Sequence, residues 1–259
     1  MNKNLNNIKE LVKRGSSTAK NGFRNEDDVV KKFNNWKKDK DAQDWLQIMD
    51  YDLDKIEKVK AIKITGSHKT DVQVKIKIYL KDAIAAENIS IKLVSNPSGF
   101  NQIDKRWVDK YTKLWEIPEN IVKSLKLFTG ETKPRKKNLK DQRRMFFDEM
   151  DNQTKKDIVD FFENNKFLVI ADILKGKDKL SASWMLIYIK PENLWTLLPM
   201  SVIINFYGNG EVRITDKGSI KIGRITMQRK GGDGGRPTAN MLQFKINPAE
   251  IVNQIKNEQ

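Results

Sequence analysis

Residues 72–80 read Val-Gln-Val-Lys-Ile-Lys-Ile-Tyr-Leu, with apolar and polar side chains in strict alternation. A period of two gives consistent faces only to an extended chain, so this stretch is expected to be a half-buried strand. Val72, Val74, Ile76, Ile78 and Leu80 share one face, and Gln73, Lys75, Lys77 and Tyr79 share the other. A polar segment at 81–87 returns the chain, and residues 88–95 alternate again, with Ile89, Ile91 and Leu93 opposite Ser90 and Lys92. An acid, Asp71, opens the first strand just after Thr70, and Lys92 stands two places beyond the polar Ser90 on the second. On spacing alone these side chains also suit an ordinary solvated sheet face.

The chain has 259 residues, enough to bury a sizeable core, and no Pro- or Gly-rich linker divides it, so a single domain over 1–259 is expected. The formal net charge is +15, with 49 basic against 34 acidic residues, which points to a polyanionic partner, nucleic acid before an anionic membrane. No apolar run approaches the ~20 residues of a spanning helix, and no segment has the basic amphipathic pattern of a membrane-surface helix. Without Cys there is neither a disulfide framework nor a thiol nucleophile nor a Cys-ligated zinc. His68 is the only histidine, so HExxH is impossible and any Ser-His-Asp triad has to use it. The start of the sequence carries no apolar signal-peptide core, and a soluble, cytoplasmic protein is expected.

Taken in order, residues 1–22 are expected as a frayed helix and a loop. Asn25 then caps a helix carrying Val29, Val30, Phe33 and Trp36, with Glu26, Asp27 and Asp28 in its first turn. Those acids either offset the helix dipole or lean towards a metal. Helical spacing continues over 42–49 and 53–59, and a strand at 59–65 leads through the backbone-contacting loop 66–69 into the alternating stretch. After Lys92, Pro97 and Gly99 mark an exposed loop, and Ile103, Trp107, Tyr111, Leu114 and Trp115 make a helical stripe. Helices are expected at 120–128, 139–150 and 155–164, and strands at 167–171, 184–189, 219–230 and 241–246. Residues 194–207 are mixed in character. The densest basic run holds Lys136, Lys137, Lys140, Arg143 and Arg144 and suits phosphate contact. Four glycines between Lys230 and Arg236 could cradle phosphates through backbone N–H groups, although GxxxxGK[ST] is absent.

An acid at the head of one strand and a lysine on the next is also the layout of the PD-(D/E)xK nucleases. Phosphodiester hydrolysis needs a metal to neutralise developing charge and to lower the pKa of bound water. The wider sequence resembles the MspI-like group of type II restriction endonucleases. The matching blocks are residues 18–26, 42–46, 92–96, 99–105, 143–146, 228–233 and 238–245. The resemblance implies an α/β, PD-(D/E)xK restriction-endonuclease-like fold with a central mixed β-sheet flanked by helices. It places a catalytic core at about 25–115 and a DNA-recognition region at about 165–250. It further implies Mg²⁺-dependent cleavage (one or two ions) of double-stranded DNA at a short G·C-rich palindrome. A member it closely resembles cuts GCGC after the first G, and 5′-phosphate ends are expected.

Carried over, Asp71 matches the metal-binding acid, Lys92 the catalytic lysine and Ile91 the residue whose backbone carbonyl completes the metal shell. Ser90 stands where that member has Gln, a shorter neutral oxygen donor, and Thr70 stands where it has Ser. Sequence reading is expected from two loops, 99–105 with Phe100, Asn101, Gln102, Asp104 and Lys105, and 228–236 with Gln228, Arg229, Lys230, Asp233 and Arg236. Asp104 could accept from cytosine N4 or cap the helix carrying Trp107. Lys136, Lys137 and Arg143 are the phosphate contacts. A DNA methyltransferase is implied as a genetic companion, and the chain is expected to be a monomer or weak dimer. The alternative function is a sequence-specific DNA-binding protein with a decayed nuclease site.

Overall fold

The computed structural model describes residues 25–65, 72–177, 181–232 and 236–258. In chain order they form helix α1 over 25–34 and α2 (Lys40–Ile48), then β1 (Ile56–Thr65), β2 (Val72–Leu80), β3 (Ile84–Val94) and β4 (Asn101–Arg106). Helices α3 (Val108–Trp115), α4 (Glu119–Thr129), α5 (Asn152–Asn164) and α6 (Lys166–Lys175) precede β5 (Trp184–Ile189) and β6 (Leu194–Pro199). The chain closes with α7 (Met200–Gly208), β7 (Val212–Ile214), β8 (Ile220–Ile222), β9 (Ile225–Arg229), β10 (Leu242–Ile246) and α8 (Ala249–Glu258). The described residues divide into two compact units, one of Gln102–Leu174 with Ile204–Ile246, the other of 25–101, Lys175–Ile203 and 247–258.

The second of these units holds a five-stranded sheet in the order β1-β2-β3-β5-β6. Only β3 and β5 run parallel; the other neighbours are antiparallel, so the sheet is mixed. The alternation of β2 is honoured: Val74, Ile76 and Ile78 share a core with Ile89 and Ile91 of β3, Val29 and Phe33 of α1 and Trp45 and Leu46 of α2. Each such side chain, fully buried, contributes about 1.5–3 kcal/mol. An edge of aromatic rings extends this core, with Trp45 against Phe33 at 5.2 Å and against Trp195 at 5.3 Å. Asp39 caps α2 by accepting from Ala42 N at 3.0 Å. The mixed sheet flanked by helices is the α/β architecture the sequence led us to expect.

The first unit holds a second sheet, β4-β10-β9-β8-β7. Its core joins Tyr111 and Trp115 of α3, stacked at 4.6 Å, edge-on to Phe244 of β10 at 5.3 and 5.7 Å. Phe128 of α4 stacks on Phe147 at 4.0 Å.

Several expected elements differ. Residues 53–59 give a single 3-10 turn at Leu53–Lys55 and then enter β1 at Ile56. Residues 101–106 are strand β4, so Ile103 belongs to the sheet and not to the stripe of α3. Residues 139–150 are not a helix beyond the 3-10 turn Phe147–Glu149. There the Glu149 carboxylate accepts from the backbone N–H groups of Lys140 at 2.7 Å and Phe146 at 2.8 Å, and Asp141 accepts from Arg143 N at 3.0 Å, so side chains take donors a helix needs. Residues 167–171 belong to α6, with Val169, Ile170, Ile173 and Leu174 buried and Phe167 and Leu168 exposed. A short continuous apolar run carries no period by which to tell helix from strand. Residues 219–230 split into the hairpin β8–β9, because Gly223 at φ +55° opens a two-residue turn pairing Ile222 with Ile225. The expectations for residues 1–22 and 66–69 lie outside the described residues.

Candidate functional site

The candidate chemistry lies on the β2–β3 pair. Gln73 stands directly opposite Ser90, and on the other side Ser90 faces Met185 and Lys92 faces Ile187 of β5. β3 is therefore central, and its polar positions are not solvated: Ser90 is 1% exposed, Lys92 5% and Gln73 4%. The ordinary solvated face anticipated as an alternative is ruled out by that burial. Taking an ammonium out of water is costly, so a lysine held here without function would be a liability. Ile91 points the other way, into the core with Ile89 and Leu186. The Gln73 amide oxygen is buried with no hydrogen-bond partner. Thr70 and Asp71 lie outside the described residues, two places and more before Gln73 in the sequence.

The first-turn acids of α1 meet a partner the sequence did not suggest. Lys63 Nζ of β1 lies 3.1 Å from Glu26 Oε2 and 3.2 Å from Asp27 Oδ1, while Asp28 lies 3.8 Å from Lys31. Among the described residues, no three His, Cys, Asp or Glu side chains gather closely enough to hold a metal ion. A cleft of about 500 Å³ beside α1, lined by Asp28, Lys32, Asp41, Tyr188 and Trp195 among others, includes none of the candidate catalytic residues.

The residues expected to read DNA fall into distinct environments. Phe100 is 51% exposed, and Asn101 donates from Nδ2 to Leu93 O at 2.9 Å. On the second sheet, Gln243 of β10 links two candidates: it donates to Gln102 of β4 and accepts from Gln228 Nε2 of β9 at 3.4 Å. Gln243 was not singled out in the sequence, where a lone Gln inside a strand pattern gives no signal. Arg229 donates from Nε to Thr129 O at 2.8 Å and from Nη2 to Asn240 Oδ1 at 2.7 Å, which fixes its guanidinium. Burial, then the nearby Arg143 charge, lowers the Arg229 pKa. Lys105 and Lys230 are part-buried, and Arg236 is exposed. Asp233 lies outside the described residues. Gly231 and Gly232 both take φ above +60°, and a Cβ on either would meet nothing, so the backbone conformation alone calls for glycine.

Asp104 does not fit either of its expected roles. It is fully buried, its Oδ1 accepts from Lys105 N at 2.9 Å, and its Oδ2 lies 3.2 Å from Arg106 Nε. The N-cap of α3 is Trp107, with no side-chain cap bond. The nearby Tyr111 hydroxyl is pushed well above its usual pKa, by burial first and then by the Asp104 charge. In the basic run, Lys137 is exposed and Lys136 Nζ reaches Glu149 O at 3.3 Å. Arg143 is clasped by Asp141 through Nε–Oδ1 at 2.9 Å and Nη2–Oδ2 at 3.0 Å. That clasp holds the Asp141 carboxyl down at about 2.

The model of the R.HinP1I restriction endonuclease family matches residues 49–252. The chain belongs to the R.HinP1I restriction endonuclease family. The matched span runs from before β1 into α8, so it takes in the β2–β3 pair and the β9–β10 hairpin alike. No curated protein matches the chain. Among solved structures, it is similar to restriction endonuclease MspI in complex with its cognate DNA, at 14% sequence identity and a TM-score of 0.55, covering 83% of this chain and 80% of that one. That likeness shows the restriction-endonuclease-like fold. As an R.HinP1I-family enzyme, the chain is a type II site-specific deoxyribonuclease. No helix among the described residues is long and apolar enough to cross a membrane.

Proposed function

We propose that this restriction endonuclease binds double-stranded DNA and cuts GCGC after its first G, using Mg²⁺ and leaving 5′-phosphate ends. The observation that carries the catalytic part is the burial of Ser90 and Lys92 on the central strand β3, with Gln73 opposite Ser90. The antiparallel register pairs Gln73 with Ser90 and Val74 with Ile89.

The donors fit a hard divalent cation, since Asp71 offers a carboxylate, Ser90 a hydroxyl and Ile91 a backbone carbonyl, all oxygen. The orphaned oxygen of Gln73 on the same strand pair is a further sign of a site made for a cation. When bound, the ion neutralises charge on the scissile phosphate and lowers the pKa of a bound water. Lys92 keeps its ammonium where bulk water is excluded, so its charge acts strongly on a phosphate oxygen and on the attacking water. Attack on phosphorus with loss of the 3′-oxygen gives a 5′-phosphate and a 3′-hydroxyl. Arg229, Lys230, Lys105, Gln102 and Gln228 supply donors and acceptors suited to the edges of G·C pairs. Phe100, Asn101, Asp233 and Arg236 complete the reading loops, and Lys136, Lys137 and Arg143 contact phosphates.

The test is to incubate plasmid with the protein, with and without Mg²⁺, and to map the ends. Cuts after the first G of GCGC, present only with the ion, are expected. Tight sequence-specific binding with no cleavage under any divalent ion would instead mark a decayed nuclease site.

A further inference from the structure

We infer that Gln73 is a ligand to the divalent ion, supplying the amide oxygen that Ser90 is too short to provide. The inference rests on the proposed metal site of Asp71, Ser90 and Ile91, and it adds a residue that neither the sequence motif nor the family match assigns.

Three observations meet at this position. Gln73 pairs directly with Ser90, so the two side chains leave the same face of the sheet from adjacent strands. Gln73 is 4% exposed, and its Oε1 has no hydrogen-bond partner. A buried acceptor left unsatisfied is a cost that native proteins rarely carry without a use for it. An amide oxygen is also a neutral, hard donor of the kind magnesium and calcium accept.

Chain length decides between the two opposed residues. The Ser90 hydroxyl sits one bond from Cβ, while the Gln73 oxygen sits three bonds away and can span space that the serine leaves open. The donor set then becomes the Asp71 carboxylate, the Gln73 amide on β2 and the Ile91 carbonyl on β3. Ser90 is left as the shorter, weaker donor and makes room for the longer side chain opposite.

The experiment titrates Mn²⁺ and Ca²⁺ into the intact protein by calorimetry, in the presence of a GCGC-containing duplex, and follows thermal melting with and without each ion. Gln73→Met should bind the ions about tenfold more weakly. It should also melt at or above the wild-type temperature without metal, because it removes the orphaned oxygen. Gln73→Glu should bind them more tightly. Ser90→Ala should lose less affinity than Gln73→Met, and the pair Gln73→Met with Ser90→Gln, which moves the amide across the strands, should recover most of the lost affinity. Wild-type affinity in Gln73→Met, or loss of affinity in Ser90→Ala with Gln73→Met unaffected, overturns the inference. Asp71→Ala separates the two levels of the argument. If it abolishes binding while Gln73→Met does not, only the role of Gln73 fails. If Asp71→Ala binds like wild type, the metal site itself is elsewhere.

Discussion

At the scale of single residues, Lys92 and Asp104 are both buried charged side chains, and their replacement is expected to have different consequences. Lys92 is 5% exposed on a strand flanked by Met185 and Ile187, where its charge lies out of bulk water. Lys92→Met, which keeps the length and removes the charge, should therefore cut the cleavage rate by roughly 10³-fold, equivalent to about 4 kcal/mol in the transition state, in a protein that still melts cooperatively. Single-turnover cleavage and calorimetry read the two effects separately. Asp104 is the opposite case. Removing its carboxylate takes the nearer of two acids, at 3.2 Å, from the mostly buried Arg106 and leaves it the Asp172 carboxylate at 3.9 Å. Asp104→Ala should lose about 3 kcal/mol of stability in urea unfolding, while discrimination between the cognate site and single-base variants stays the same. An undisturbed melt with lost discrimination would return Asp104 to base reading.

At the scale of elements, one cluster ties the sheet of the second unit together. Tyr51 donates to Glu87 Oε1 at 3.0 Å and Trp184 donates to Glu87 Oε2 at 3.0 Å, joining the segment after α2 to β3 and β5. Burial, followed by the Glu87 charge, pushes the Tyr51 hydroxyl up to about 12. Its folded pKa is raised above the unfolded value, so its contribution is complete below about pH 10 and is lost as pH rises towards 12. Urea midpoints at pH 8, 10 and 11 should fall more steeply for wild type than for Tyr51→Phe; parallel curves would remove Tyr51 from the account. The elements also show what a sequence discloses. The strict alternation of β2 was legible because a period of two has one structural solution. The burial of Ser90 and Lys92 was not, because it depends on β5, some ninety positions away, lying parallel to β3. Residues 139–150 carry a helical apolar spacing, yet Glu149 and Asp141 capture the backbone donors, a competition invisible to periodicity. Gln73 was visible as a polar residue two places after Asp71, but only its unpartnered oxygen marks it out.

At the scale of the whole molecule, a net charge of +15 predicts DNA binding that weakens steeply with salt. Each phosphate neutralised adds about −0.9 to the slope of log K against log salt. Neutralising Lys136 and Lys137 should flatten that slope by close to two such steps for cognate and non-cognate duplexes alike. Arg143→Ala should change it less, since Asp141 already neutralises that guanidinium. An unchanged slope in the lysine variants would make the run an ordinary solvated surface. The central claim is that Asp71 and Lys92 form one metal-dependent nuclease site, and the most direct measurement compares plasmid cleavage by wild type, Asp71→Ala and Lys92→Met in Mg²⁺, with end mapping and a parallel DNA-binding assay. The account predicts GCGC cuts from wild type alone, with binding retained in all three proteins. Undiminished cleavage by either variant would contradict it.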